Sequence, residues 1–192
     1  MADFVYPSGW TDVANQALSH LGSKRINNLL DGSALANSCQ QFMGRAIEDV
    51  YAEIDWQAAT KRVELERLTE APAYGFLYYY QLPVDYIRMM VRDSVDVGGA
   101  TWAIEQDRLA TDAEEAFLRY IARPADPSKL PGYLRQAIEI WLAVLLTIPL
   151  ASSDERKAVL LGLWNDKKAR ALAADAASRQ EEEPAQWWDE MR

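Results

Sequence analysis

Residues 132–148 constrain this chain more than any other stretch. Tyr133, Leu134, Ile138, Ile140, Trp141, Leu142, Val144, Leu145, Leu146 and Ile148 put apolar side chains on every side of a helix. Such a helix has no face to offer water, so it must be enclosed, either by its own chain or by a neighbouring subunit. A membrane is not the expected enclosure. The apolar run from 140 to 151 contains Thr147 and Pro149 and falls far short of the ~20 residues a span requires. The chain has material to do the enclosing itself, with 192 residues of which 49% are hydrophobic, a size expected to form one domain. The opening Met-Ala-Asp-Phe lacks a basic region followed by an apolar core, so no signal peptide is expected.

Around that helix the hydrophobic period changes twice. Thr11 as an N-cap, Ala14, Ala17, Leu18 and Leu21 at helical spacing, and Gly22 as a left-handed stop predict a helix over 11–21. In the loop that follows, Ile26, Leu29 and Leu30 can tuck inward. Ser33 caps a second helix over 33–55, whose stripe of Cys39, Met43, Ala46, Ile47, Val50 and Ile54 faces a core. The period then falls to two. Val63 and Leu65, Phe76 to Leu82, Ile87 to Val91, Val95 and Val97, Trp102 and Ile104, and Leu118 to Ile121 read as strands. Gly98-Gly99 suggests a hairpin between two of them. After Pro124, Pro127 and Pro131 helices resume, and a last one starts at Ser152 or Ser153 and runs to about Ser178. Its alanine-rich second half suits either close packing on another helix or an exposed strong helix former. The expected architecture is α+β, mainly α: a helical body of 1–59 and 124–180, an antiparallel β unit of 60–123 inserted between the second and third helices, and a C-terminal arm of 181–192.

Enzyme chemistry finds little support. A single cysteine excludes an intrachain disulfide, and with a single histidine no zinc site of Cys and His ligands can be built. His20 has no nucleophile motif beside it, Cys39 lies on an apolar stripe, and no glycine-rich phosphate loop precedes a helix. Glu48-Asp49, Glu114-Glu115 and Glu181–Glu183 read as solvated charge rather than a catalytic cluster, and no cofactor is expected. The net charge of −9 argues against a phosphate-gripping surface, and Lys167, Lys168 and Arg170 are too few to change that. The last twelve residues hold five acids, one arginine and adjacent Trp187 and Trp188 beyond Pro184. Tryptophan is a favoured interface anchor, and each buried aromatic is worth about 2–3 kcal/mol. The segment is therefore expected to dock on a partner, the alternative being that both rings fold back onto the last helix.

One ordered set of motifs resembles a known family. Asn15-Gln16-Ala17-Leu18-Ser19-His20-Leu21-Gly22, Ile26, Asn28-Leu29-Leu30-Asp31-Gly32-Ser33, Ala36, Cys39 and Asp55-Trp56 are similar to the N-terminal signature of phage head–tail adaptors, including the tail tubular protein A of short-tailed phages. Trp102, Tyr120-Ile121, Asp126-Pro127, Ala137 and Ile148-Pro149 extend the similarity over about 11–180. The resemblance implies a structural virion protein made in the host bacterial cytoplasm and located at the head–tail neck. It implies a homo-oligomeric ring, usually of twelve, below the portal protein, through which double-stranded DNA passes without specific binding and on which the next tail protein sits. It assigns portal binding to the C-terminal arm, here Glu181, Glu182, Glu183, Trp187, Trp188 and Met191, and the tail side to loops of 70–112. A ring needs two different faces that meet head to tail. Trp141, Leu145, Leu160, Trp164, Ala171 and Ala174 are the expected subunit-interface residues. The competing expectation is a carboxylate- or metal-dependent hydrolase or nuclease.

Overall fold

A computed structural model of the chain describes residues 9–90, 94–150 and 152–177. Four helices, α1 (Gly9–His20), α2 (Ala34–Glu53), α3 (Gly132–Leu146) and α4 (Asp154–Ala177), frame seven strands that all fall between α2 and α3 in sequence. The class is α+β, mainly α.

The helix ends follow from local chemistry. Leu21-Gly22 closes α1: Ser23 N donates to Leu18 O and Gly22 N to Ser19 O, with Gly22 at φ +67°, a conformation open to glycine at no steric cost. Ser33 caps α2, its hydroxyl accepting from Ala36 N at 3.2 Å. Thr11 is not a cap. The first helix starts two residues earlier, where Gly9 lies so close to Pro127 that a Cβ would sit 3.0 Å from the proline ring. The Thr11 hydroxyl instead accepts from Leu29 N in the α1–α2 loop. Ile26 and Leu29 of that loop are buried, but Leu30 is exposed. Asn15 clamps the loop from α1, its side chain donating to Ile26 O and accepting from Ile26 N.

α3 is the axis of the helical body, in contact with α1, α2 and α4. Trp10 near the start of α1 donates its indole N–H to Ala125 O, close ahead of α3, while Arg156 at the start of α4 donates to Leu21 O at the end of α1. So α1 runs with α3 and α4 returns against it. α2 also runs against α3, with Asp49 accepting from the Trp141 indole at 2.8 Å and Trp56 facing Tyr133. Leu134, Ala137, Ile138, Ile140, Leu142, Ala143 and Leu146 are all buried within this one chain.

The strands form two antiparallel sheets. The first has the order β1 (Thr60–Glu64), β7 (Phe117–Ala122), β3 (Tyr86–Met89), with the two-residue β4 (Val95–Asp96) also on β7. The second has β2 (Tyr78–Gln81), β6 (Arg108–Thr111) and β5 (Trp102–Glu105). β7 alternates between two cores: Ile121 enters the helical core, whereas Leu118, Tyr120 and Ala122 enter the core between the sheets. Gly98-Gly99 does not close a hairpin, since β4 pairs with β7 and β5 with β6. The tight hairpin is at Gln106-Asp107, with Gln106 at φ +60°.

Asp175, near the end of α4, joins the two ends of the body. Its carboxylate is buried and accepts from the amides of Gln57 and Ala58 at 2.8 and 3.4 Å and from the Tyr133 hydroxyl at 2.7 Å. Gln57 and Ala58 open the one-turn 3-10 helix that leads into β1. Burial, then the neighbouring Asp175, holds the Tyr133 phenol well above its ordinary pKa. Asp175→Ala removes the acceptor from three part-buried donors at once and should lower the unfolding free energy by about 2 kcal/mol, read from the urea midpoint.

Candidate functional site

The interface and docking residues singled out by sequence fall into four groups. Leu160, Trp164 and Ala171 lie on the inner stripe of α4 and are buried against their own α3. They are corrected from subunit-interface to core residues. The reason is spacing: positions 160, 164, 171 and 175 share one helix face, and α3 occupies it. Trp141 is half-buried, with its ring 5.0 Å from that of Trp164 and its N–H on Asp49, and Leu145 is half-buried at the edge of the same core. Of the six, Ala174 alone is exposed. The portal-binding residues Glu181, Glu182, Glu183, Trp187, Trp188 and Met191 lie outside the described residues.

The outer surface of α4 carries what the inner stripe does not. Ala158, Gly162, Ala169, Ala173 and Ala176 are exposed on the side opposite Leu160 and Trp164, flanked by Val159 at 66% and Leu172 at 40% exposure. Lys168 and Arg170 do not project as a free basic patch, since Lys168 pairs with Glu53 of α2 and Arg170 with Asp166. A face of small side chains lets another backbone approach closely, and here it runs along a helix of ~36 Å.

A second exposed surface is in the β unit. Tyr74 and Leu77, in the loop before β2, are 90% and 60% exposed, and Val84 in the β2–β3 turn is fully exposed. These belong to the loops assigned to the tail side. A third is a groove of about 770 Å³ on the first sheet, lined by Arg62, Glu64, Asp96, Phe117 and Arg119 among others.

The candidates for chemistry have structural partners. Glu48 pairs with Arg123 beyond β7, and Asp49 with Arg45 and Trp141, so this acidic pair ties α2 to the rest of the body while its carboxylates stay largely open to solvent. Cys39 is buried, and burial pushes its thiol up to about 11. His20 ends α1, where a cation is favourable. Among the described residues no group of three or more His, Cys, Asp or Glu is arranged to hold a metal ion, and no helix is long and apolar enough to cross a membrane. Sequence reasoning missed Asp85 in the β unit, which joins Lys61 and the Tyr120 hydroxyl. Burial works to raise its pKa, but those two hydrogen bonds outweigh it and the carboxyl lies below its usual value.

Neither a protein-family model nor a curated protein matches the chain.

Among the described carboxylic acids, Glu139 on α3 is the one whose pKa is raised. Its side chain is 13% exposed, burial raises its pKa to about 6, and Arg135, 4.0 Å away, offsets this only in part. The folded state therefore holds a proton that the unfolded chain, with the ordinary value of 4.5, releases earlier. The contribution is fully present below pH 4.5 and is lost as pH rises through 6, a change of about 2 kcal/mol. Glu139→Gln should be more stable than the parent at pH 8 and close to it at pH 4, as measured by urea unfolding at the two pH values.

Proposed function

We propose that this chain is a structural subunit of a phage head–tail neck, a ring-forming adaptor that sits below a portal protein, extends the DNA channel and carries the next tail component. The observation that supports it best is α4. One face of this helix completes the subunit's own core, and the opposite face offers Ala158, Gly162, Ala169 and Ala173 beside Val159 and Leu172 with no covering element among the described residues. A subunit that is closed inside and unpartnered along one long helix suits a head-to-tail ring, where each copy presents one face to the next.

The motifs that resemble adaptors also have local physical roles. Leu21-Gly22 is a helix stop, Asp31 and Ser33 build the turn into α2, and Trp56 is fully buried beneath α3, its N–H on Val50 O. The negative charge fits a channel that must let DNA slide, because each added cation on the wall would hold a phosphate. Portal docking is assigned to 181–192, with Trp187, Trp188 and Met191 as apolar anchors and Glu181–Glu183 as the charged lead. The exposed Tyr74, Leu77 and Val84 face the following tail component.

Mixing the chain with a portal ring from its own genome and imaging by electron microscopy tests this. The expected result is an added ring of density on one end of the portal, about twelvefold. Trp187→Ala with Trp188→Ala should abolish that density while the circular dichroism of the subunit is unchanged. A portal that never acquires density, or one that acquires it equally with both indoles removed, contradicts the reading or its anchor respectively.

A further inference from the structure

The second sheet has one edge closed and one open. Beyond β2, residues 66–68 continue the sheet: Gln81 N donates to Glu66 O at 3.0 Å and Leu68 N to Tyr79 O at 2.8 Å. Beyond β5 no described element lies alongside. Which backbone groups point outward there follows from the ladder. Leu82 N donates to Asp107 O, so on β6 residues 107, 109 and 111 turn toward β2, and Arg108 and Ala110 turn toward β5. Their partners Glu105 and Ala103 are therefore bonded inward. The amides and carbonyls of Trp102 and Ile104 face out, with no partner among the described residues.

Sheets guard open edges with lysine, proline or a bulge. The outer edge of β1 carries Lys61 and Arg62, and β4 has only two residues. β5 carries neither lysine nor proline, pairs with β6 in unbroken register, and leaves Trp102 39% exposed. Extended backbone is what completes such an edge, and this edge is complementary to itself. An antiparallel second copy centred on Ala103 sets Trp102 against the partner's Ile104, Ala103 against the partner's Ala103, and Glu105 against the partner's Thr101. Both outward residues of each strand then exchange N–H and C=O bonds with the other strand. The smallest side chain falls at the closely spaced position on the axis, an aromatic meets a β-branched residue, and no like charges are opposed. Shifted registers lose one of the bonded pairs. Trp102 on its own counterpart would need Ala100, whose N–H is already on Val97 O, and Ile104 on its own counterpart would need Gln106, which turns at φ +60°.

We propose that a second copy of this chain docks on β5, edge to edge about a two-fold axis through Ala103, and joins the two second sheets into one continuous antiparallel sheet. The contact is isologous, unlike the head-to-tail contact of a ring, so it is a separate surface and does not rest on the adaptor reading. An edge of four residues buries little area, so the pairing is weak, with a Kd on the order of 0.1–1 mM.

Two measurements on the full chain test this. Amide hydrogen exchange of the unmodified protein is compared at about 10 μM and about 1 mM, the two sides of that range. The amides of Trp102 and Ile104 should slow about two- to fourfold at the higher concentration, as the free edge is drawn into pairs, while those of Ala103 and Glu105, bonded to β6, should not change. Under mild oxidation at the higher concentration, Ala103→Cys should give a disulfide-linked dimer, because residues opposed at a closely spaced position have Cα atoms ~4.5 Å apart. Thr101→Cys should lag by roughly tenfold or more, its two copies lying ~13 Å apart in this register. Cys39 is buried, so the parent chain serves as the blank. Exchange at Trp102 and Ile104 that ignores concentration overturns the proposal, and so does crosslinking of Thr101→Cys as fast as Ala103→Cys. Slowed exchange without the Ala103→Cys dimer would seat a different strand on the edge and overturns it as well. Ring formation on a portal is scored separately, and its failure would overturn the adaptor reading while leaving both of these results in force.

Discussion

The enclosure of α3 determines the arrangement of everything around it. Leu134, Ile138, Leu142 and Leu146 with Ala137, Ile140 and Ala143 are buried, Arg135 and Gln136 near its start stay exposed, and α1, α2 and α4 close over the rest of the helix. Each buried aliphatic or aromatic residue contributes about 1.5–3 kcal/mol relative to exposure, so the stretch is a large part of the body's apolar burial, beside Trp10, Tyr51, Trp56 and Trp164 from the surrounding elements. The inner stripe of α4, Leu160, Trp164 and Ala171, is occupied by α3, while its outer stripe is exposed.

The β unit is an insertion by sequence but not an appendage by packing. β7 presents Ile121 to the helical core and Leu118, Tyr120 and Ala122 to the core between the sheets. Met90 also enters the helical core, and Arg88–Asp55 and Arg123–Glu48 fasten the unit to the end of α2. Asp175 completes the joint by holding the end of α4 to the chain just before β1. Elements far apart in sequence thus meet at one seam, and the end of α4 borders it.

The helices were legible because their signals are local. Ser33, Leu21-Gly22 and the apolar stripes need no knowledge of the partner. The strands were legible less evenly. β6 shows no alternation because Leu109, Ala110 and Thr111 are all fully buried in the middle of its sheet, where both faces are covered. Gly98-Gly99 marked a turn correctly and a hairpin wrongly, since strand pairing is a long-range choice that the two glycines do not encode. The same limit applies to Leu160, Trp164 and Ala171. Their pattern shows that the face is buried, while whether α3 or another subunit covers it is decided only by the fold. Asp175 is the one acid in the alanine-rich stretch 169–177 of α4, and its role follows from the amides it meets.

The adaptor reading therefore rests on a subunit that is complete before it assembles, with small-residue and apolar surfaces left over at α4 and at the tip of the β unit. Hydrogen exchange of the dilute chain, free of any portal, tests that completeness most directly. The α3 amides from Leu134 to Leu146 should be the slowest in the molecule, at rates that do not change with protein concentration. Fast exchange of α3 that becomes slow only as chains associate would mean that neighbours, not α1, α2 and α4, enclose it, and would contradict the account.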